Sequence, residues 1–98
     1  MKLIYLSGKI TDTNKFKFWR NLYVAWKKAK ELSKKHAVIC PHINGFGFKL
    51  SYDRYMEVDK EFIKRCDAVY VLPNWKTSKG CKIEINFARK HKIPVKFL

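Results

Sequence analysis

Acidic residues, cysteines and long apolar runs are all scarce in this sequence. Eight Asp and Glu residues stand against 22 Lys and Arg residues, which leaves a formal net charge of +14. The cysteines, Cys40, Cys66 and Cys81, show no paired spacing, so they predict reduced thiols in a cytoplasmic protein rather than a disulfide framework. No apolar run approaches the ~20 residues of a membrane span, so no membrane partner is expected.

The sequence also lacks the features of dedicated nucleic-acid-binding proteins. Lysine supplies 18 of the 22 basic residues, and the lysines are spread along the whole chain. There is no arginine-rich segment, no zinc-ligand spacing and no aromatic RNA-binding motif. Because a small polyanionic ligand explains the positive charge equally well, the sequence favours a small ligand over a nucleic-acid partner.

A metal site is not indicated either. His36, Cys40 and His42 lie close together in the sequence, but their spacing fits the exit of a strand better than a set of zinc ligands. We therefore expect no metal ion and no cofactor.

Short β-forming runs alternate with helical periodicity along the chain, which is 47% hydrophobic. This alternation is typical of a parallel sheet with helices on both faces. We therefore predict a single α/β domain over residues 1–98, a small Rossmann-like three-layer sandwich with a four-stranded parallel sheet of order 2-1-3-4. The predicted strands are 2–7, 37–40, 68–72 and 94–97, and the predicted helices are 16–35, 52–65 and 79–90.

This strand order predicts where a ligand binds. In open parallel sheets the binding crevice lies beyond the carboxyl ends of the strands, at the point where the strand order reverses. That point falls between strands one and three, so the segments 7–9 and 73–75 are expected to form the two lips of one crevice. The loop 41–50 after strand two is expected to supply a third wall through His42, Asn44 and Phe46.

The segment that follows strand three carries the clearest site pattern. Ser78 stands where a helix N-cap is expected, and Gly80 lets a ligand approach the first helical turn closely. The free N–H groups of a helix N-terminus bind anions. Glu84 lies one turn deeper on the same row as Gly80, so we expect its carboxylate to face the same ligand. A phosphate cradle with an acid behind it suggests a ligand that contains both phosphate and sugar.

Asp59 is unusual for its position, because it lies on the apolar row of the helix 52–65. A carboxylate on an apolar helix face needs a partner or a function. The alternative is a side chain near the rim that reaches water or caps the backbone.

The first helix carries a second aromatic row beside its core-facing row. Trp19, Tyr23 and Trp26 form this row, while a helix that covers a sheet needs only one apolar stripe. We interpret the extra row as an interface between subunits of a homo-oligomer. The alternative is a core-facing stripe that is merely broad.

Three motifs occur in the order seen in one enzyme superfamily. The sequence resembles the nucleoside 2-deoxyribosyltransferase superfamily over nearly its whole length, through Tyr5–Ile10, Asp59 with Ile63 and Asp67, and Ser78 with Gly80, Glu84, Phe87 and Ala88. Some enzymes of this superfamily cleave deoxyribonucleoside 5′-monophosphates, and the resemblance to them implies that Ser78 holds the phosphate of the ligand. It also implies that Glu84 is the nucleophile at C1′ and that Asp59 positions the substrate and transfers a proton.

A compact branch of the superfamily is more similar still. Some of its phage members are Thoeris anti-defence proteins, homotetramers that sequester cyclic ADP-ribose signals, and in some cases cyclic dinucleotides, without cleaving them. The short chain, the basic charge and the extra aromatic row agree with that branch. Lys9 departs from the proline or small residue of many superfamily members, and Ser78 stands where the transferases have an aspartate.

The resemblance therefore leads to two interpretations. The first is a phage protein that binds a nucleotide signal in the cytoplasm of an infected cell without cleaving it. This protein is expected to be a homotetramer. The alternative is a nucleoside deoxyribosyltransferase or nucleotide N-glycosidase. In both, the expected ligand-binding positions are Tyr5, Ser7, Gly8, Lys9, Ile10, Pro41, His42, Asn44, Phe46, Asp59, Asn74, Trp75, Ser78, Lys79, Gly80 and Glu84.

Overall fold

Four parallel strands form one sheet between two helical layers in the computed structural model, which describes residues 1–44 and 47–98. The strands are β1 (Leu3–Ser7), β2 (Ala37–Ile39), β3 (Ala68–Val71) and β4 (Val95–Phe97). The helices are α1 (Lys15–Leu32), α2 (Pro41–Asn44), α3 (Tyr52–Arg65) and α4 (Lys79–Lys90), and a 3₁₀ helix spans Pro73–Thr77.

The strand order is β2-β1-β3-β4, which confirms the predicted topology. β1 lies in the centre of the sheet, where Tyr5 is paired with Ile39 of β2 and with Val69 of β3. β4 adds to the far side of β3. Because β2 and β3 flank β1 on opposite sides, the connections after β1 and β3 leave the sheet in opposite directions and open a crevice between them.

Alternate side chains of the central strands supply two separate cores. On one face of the sheet, Leu6 packs with Ala25 of α1 and with Leu72. On the other face, Tyr5 packs in a cluster with residues of α3 and α4, namely Ile63, Ile85 and Ala88. The three-layer sandwich follows directly from this alternation, because successive residues of a strand point to opposite faces.

The helix boundaries differ from the prediction in three places. α1 ends at Leu32 rather than at residue 35, because Ser33 turns the chain and its hydroxyl donates a hydrogen bond to the Lys30 carbonyl oxygen at 2.7 Å. The predicted loop after strand two begins with the single turn of α2, and the loop after strand three contains the 3₁₀ helix. Pro41 and Pro73 are the first residues of these two short helices. A proline is tolerated there because the N–H group at the first helical position makes no hydrogen bond within the helix.

Within the described residues, no helix combines the length and the apolar character needed to cross a membrane.

Candidate functional site

A cavity of about 560 Å³ opens at the carboxyl ends of the strands, between the loop after β1 and the start of α4. Its walls include ten of the sixteen positions expected from the sequence to bind a ligand: Gly8, Lys9, Ile10, Pro41, His42, Asp59, Ser78, Lys79, Gly80 and Glu84. The volume is in the range of cavities that hold a small molecule such as a nucleotide.

Glu84 is a buried carboxyl group on the wall of this cavity. The Tyr5 hydroxyl donates to its Oε2 at 2.5 Å, and the Ser7 hydroxyl donates to its Oε1 at 2.6 Å. Both hydroxyl groups come from β1 and are fully buried behind the cavity wall. Tyr5 and Ser7 therefore hold Glu84 in place instead of lining the ligand space.

Asp59 of α3 completes a pair of carboxyl groups. It faces the same cavity, and it interacts electrostatically with Glu84 and with the Tyr5 hydroxyl. Burial raises the pKa of Glu84 to about 7 and that of Asp59 to about 6. Because the two groups interact, they titrate as a pair that holds one proton between them near neutral pH.

The hydroxyl groups around Glu84 decide which member of the pair is better suited to be ionised. Burial and the neighbouring carboxyl groups raise the pKa of Tyr5 well above its ordinary value, so its hydroxyl remains a donor. Both oxygens of Glu84 accept a hydrogen bond from a hydroxyl group. An ionised carboxylate accepts well on both oxygens, whereas in a protonated carboxyl group one oxygen carries the proton and is a poorer acceptor. This arrangement stabilises the ionised form of Glu84 when the shared proton lies on Asp59, although burial gives Glu84 the higher pKa of the two.

The first turn of α4 forms the opposite end of the cavity. Ser78 caps the helix, and its Oγ accepts a hydrogen bond from the Cys81 backbone N–H at 3.2 Å. Gly80 leaves open space here, because an added Cβ would lie 3.8 Å from the nearest atom, the Tyr52 hydroxyl. A helix N-terminus with an open glycine beside it suits an anionic group.

Lys9 crosses the crevice from the β1 side. Its backbone N–H donates to Asn74 Oδ1 at 3.0 Å, and its ammonium group donates to Thr77 Oγ1 at 3.1 Å. The same ammonium group lies 3.6 Å from Asp12 Oδ2. These contacts fix a positive charge at the end of the cavity where α4 begins.

His42 is a buried neutral imidazole in α2. Its Nε2 lies 3.2 Å from the Lys9 carbonyl oxygen, which can only accept, so Nε2 carries the proton. Burial lowers the pKa of His42 to about 4, which keeps the ring neutral at physiological pH. His42 thereby supports the backbone of the loop that carries Lys9.

Three of the expected positions lie outside the cavity wall. Asn74 faces the Lys9 backbone, and Asn44 is exposed at the end of α2 outside the cavity. Trp75 packs on Phe97 of β4, with ring centroids 5.2 Å apart, so it belongs to the edge of the core. Phe46 lies outside the described residues.

The sequence did not identify the apolar wall of the cavity. This wall is formed by α1 and α3 and contains Phe18, Leu22, Tyr52, Tyr55 and Met56. Helical periodicity alone predicts that Phe18, Leu22 and Tyr55 lie on apolar rows that face the core. Helical periodicity identifies the apolar face, but it does not show where along the helix the sheet ends and a cavity begins.

The aromatic row of α1 lies on the protein surface. Trp19, Tyr23 and Trp26 are 58%, 57% and 47% exposed, so the row is not part of a broad core-facing stripe. Beside the row lies a groove, here called the α1 groove, lined by Trp19, Leu22, Tyr23, Trp26, His42 and Ile43.

No metal centre is evident in the part of the chain that the structure describes, since no three His, Cys, Asp or Glu side chains are grouped to hold an ion.

The fold defines the class of protein to which this chain is similar. The 2-deoxyribosyltransferase of the psychrotolerant bacterium Bacillus psychrosaccharolyticus superposes with a TM-score of 0.69 at 20% identity, over 97% of this chain and 70% of that enzyme. A conserved protein from Enterococcus faecalis V583 gives a TM-score of 0.67 at 20% identity, over 99% of this chain and 62% of the other. The 2-deoxyribosyltransferase-like fold expected from the sequence is thereby confirmed.

Residues 2–97 match the family described as a domain of unknown function (DUF4406), and the chain belongs to this family. No curated protein matches the chain in sequence.

Proposed function

We propose that this protein cleaves the N-glycosidic bond of a nucleoside or nucleotide, with water or a second base as the acceptor. The observation that carries the proposal is the Glu84 carboxyl group, held on both oxygens by Tyr5 and Ser7 and facing a cavity of ligand size. A carboxyl group that only accepts a hydrogen bond from a ligand does not need two protein hydroxyl groups to fix its orientation. A nucleophile does, because its attack depends on geometry.

In the first step, a Glu84 oxygen forms a bond to C1′ of the sugar while the bond from C1′ to the base nitrogen breaks. The departing base takes the proton that Asp59 holds. Tyr5 and Ser7 keep the attacking carboxylate in one orientation, and the apolar wall excludes water from the reacting atoms.

In the second step, the acceptor replaces Glu84 at C1′. A water molecule gives one proton to the Asp59 carboxylate, and its oxygen forms the new bond to C1′ as the Glu84 carboxylate leaves. The products are the free base and the sugar, and both carboxyl groups return to their starting states. A second nucleobase in place of water gives transfer instead of hydrolysis, the activity named for the similar bacterial enzyme.

The charged end of the cavity favours a nucleotide over an unphosphorylated nucleoside. Lys9, Lys79 and the N-terminus of α4 lie together on this end, and the Ser78 hydroxyl is beside them. A 5′-phosphate can accept hydrogen bonds from the backbone N–H groups and be neutralised by the two ammonium groups.

The test is release of free base. Purified protein is incubated with nucleosides and nucleoside 5′-monophosphates, and ligand and base are separated by chromatography. We expect base release by the wild type, none by Glu84→Gln, and a loss of about 10²- to 10⁴-fold for Asp59→Asn, the usual contribution of a general acid. Glu61→Gln is the matched control, because Glu61 is exposed on α3 and pairs with Arg65. Wild-type protein that binds these compounds but releases no base would refute the proposal.

The second candidate is sequestration of a nucleotide signal, as in the phage anti-defence proteins that the sequence resembles. The α1 groove favours it, because this groove shares Leu22 and His42 with the cavity, so a large ligand can extend from the cavity into the groove. In this candidate the protein acts as a homo-oligomer, with a tetramer as the expected form, in the cytoplasm of an infected cell. Recovery of intact cyclic ADP-ribose after heating the complex would support sequestration, and recovery of ring-opened ADP-ribose or free adenine would support catalysis.

A further inference from the structure

The α1 groove combines exposed aromatic rings with a lysine beside each ring. Lys15 lies four residues before Trp19, Lys27 four residues after Tyr23, and Lys30 four residues after Trp26. Residues four apart are neighbours on a helix surface. The Lys30 ammonium group in fact lies over the Trp26 ring, 5.3 Å from its centroid.

This helix face has no acidic counterpart of its own. α1 contains six basic residues and one acidic residue, Glu31. Glu31 pairs with Lys28 at 3.1 Å, and at 100° per residue Lys28 lies on the side of α1 opposite Trp19. Among the described residues of α1, the charged side chains that flank the aromatic row are therefore basic, while Glu31 is turned toward Lys28.

Aromatic rings that alternate with cations form the usual surface for single-stranded nucleic acid. Bases stack on the rings, and the phosphates between them are neutralised by the lysines. We propose that the α1 groove binds a single-stranded nucleic acid, with bases on Trp19, Tyr23 and Trp26 and phosphates on Lys15, Lys27 and Lys30.

Charge complementarity favours this occupant over a second copy of the chain. Two copies that met through this face would bring the same lysines together, in molecules that each carry a formal net charge of +14. Like charges brought together at an interface oppose association. A polyanion gains from both features of the face.

The α1 groove also adjoins the cavity. Leu22 and His42 line both spaces, so the two are separated by the width of a side chain. A strand bound in the groove can place a neighbouring nucleotide at the cavity mouth. This last step rests on the proposed function, whereas binding of the strand does not.

The binding test is fluorescence anisotropy with a labelled oligothymidylate of about ten nucleotides. We expect saturable binding whose log affinity falls linearly with log salt between about 50 and 200 mM NaCl, with a slope near −2 for three phosphate contacts. The Trp19→Ala/Trp26→Ala double variant should bind at least about tenfold more weakly. Trp19→Phe/Trp26→Phe, which keeps the rings, should bind within about threefold of the wild type.

Lysine variants test the phosphate contacts separately from the stacking of bases on the aromatic rings. Lys27→Ala/Lys30→Ala should reduce the salt slope by about 0.7 for each lysine. Lys90→Ala is the matched control, because Lys90 is exposed on α4, in the opposite helical layer, and its loss should leave the affinity unchanged. Circular dichroism melting curves verify that the variants are folded.

Three results would overturn the proposal. The first is no binding of the oligonucleotide, and the second is binding that ignores both tryptophans, which would reflect charge alone. The third combines two observations on the Trp19→Ala/Trp26→Ala variant. If sedimentation velocity shows a concentration-dependent dimer of the wild type that this variant no longer forms, and if the variant still binds the strand, the aromatic row is a subunit interface. Since base release is not measured here, failure of this proposal and failure of the proposed function are distinguishable.

Discussion

Gly8 and Gly80 both line the cavity, but they lack a side chain for different physical reasons. A Cβ at Gly8 would lie 2.4 Å from Leu72 Cδ1, so the β1 loop packs directly against the end of β3. A Cβ at Gly80 would meet nothing closer than 3.8 Å. Gly8 is therefore required by the packing of the protein, whereas the space at Gly80 is available to a ligand.

Gly8→Ala should destabilise the protein, because Leu72 is buried and has to move to make room. Overpacking of this kind costs about 1–3 kcal/mol of unfolding free energy. Urea denaturation monitored by circular dichroism measures the change, and an unchanged midpoint would show that the loop yields without cost.

Gly80→Ala should leave the protein as stable or stabilise it, because alanine favours a helix over glycine by about 0.8–1 kcal/mol. The added methyl group occupies ligand space beside Ser78, so binding of a nucleoside monophosphate should weaken. Calorimetric titration beside a denaturation curve tests both parts. A variant that lost stability but kept its affinity would assign Gly80 to packing.

The raised pKa of Glu84 makes stability depend on pH. Its pKa is about 7 in the folded protein against an ordinary value of 4.5. Near neutral pH the folded state therefore holds a proton, shared between Glu84 and Asp59, that the unfolded chain has already lost. This contribution is fully present below pH 4.5 and is lost as the pH rises toward 7, which corresponds to an unfolding free energy lower by on the order of 3 kcal/mol.

Comparison with Glu84→Gln isolates this effect in urea unfolding at about pH 5 and about pH 8. The decrease between the two pH values should be smaller in the variant than in the wild type. His42 acts in the opposite direction, because its lowered pKa costs stability as the pH falls below its ordinary value of 6.5. Since His42 is present in both proteins, its effect cancels in the difference. Parallel pH profiles would contradict the assignment.

At the scale of elements, the capping role of a serine can be distinguished from its role in the ligand site. Ser51 caps α3 by accepting from the Arg54 backbone N–H at 3.2 Å, and Ser78 caps α4 in the same manner. Ser51 is not part of the cavity wall, whereas Ser78 is. The two serines therefore form a matched pair with the same structural role.

Ser51→Ala and Ser78→Ala should each cost about 1 kcal/mol of stability, the usual loss for an N-cap serine. Only Ser78→Ala should also weaken binding of a nucleoside monophosphate. Thermal denaturation and calorimetric titration of both variants provide the measurement. Equal affinities in the two variants would restrict Ser78 to capping.

At the scale of the whole molecule, the charge imbalance opposes folding. A formal net charge of +14 on 98 residues causes self-repulsion in the compact state, which salt screens. Ion pairs on the helix surfaces, such as Arg54 with Glu57 at 2.7 Å, are exposed and contribute little to stability.

The melting temperature should therefore rise by several degrees as NaCl increases from about 0.05 to 0.5 M, since about 1 kcal/mol corresponds to 4–8 °C for a domain of this size. Lys64→Glu, an exposed change on α3, should raise the melting temperature at low salt and reduce its salt dependence. A melting temperature that fell with salt would mean that surface ion pairs outweigh repulsion.

The sequence by itself determined the four strands, the three long helices, the sheet order and the cap at Ser78. These depend on short-range properties: apolar periodicity, the bounds set by Pro41 and Pro73, and the capping ability of Ser78. The strand order followed because strands joined by helical crossovers are limited to few topologies. Glu84 and Asp59 were also found from the sequence, since each is an acid on an otherwise apolar row.

Only the tertiary structure decided what surrounds those acids. Tyr5 and Ser7 are more than 75 residues away from Glu84, and no local pattern shows that their hydroxyls turn toward it. The same holds for Trp75, which could have faced the crevice but packs on Phe97. Such contacts depend on how whole layers pack, because strand and helix periods specify which face a side chain occupies but not which distant group it meets there.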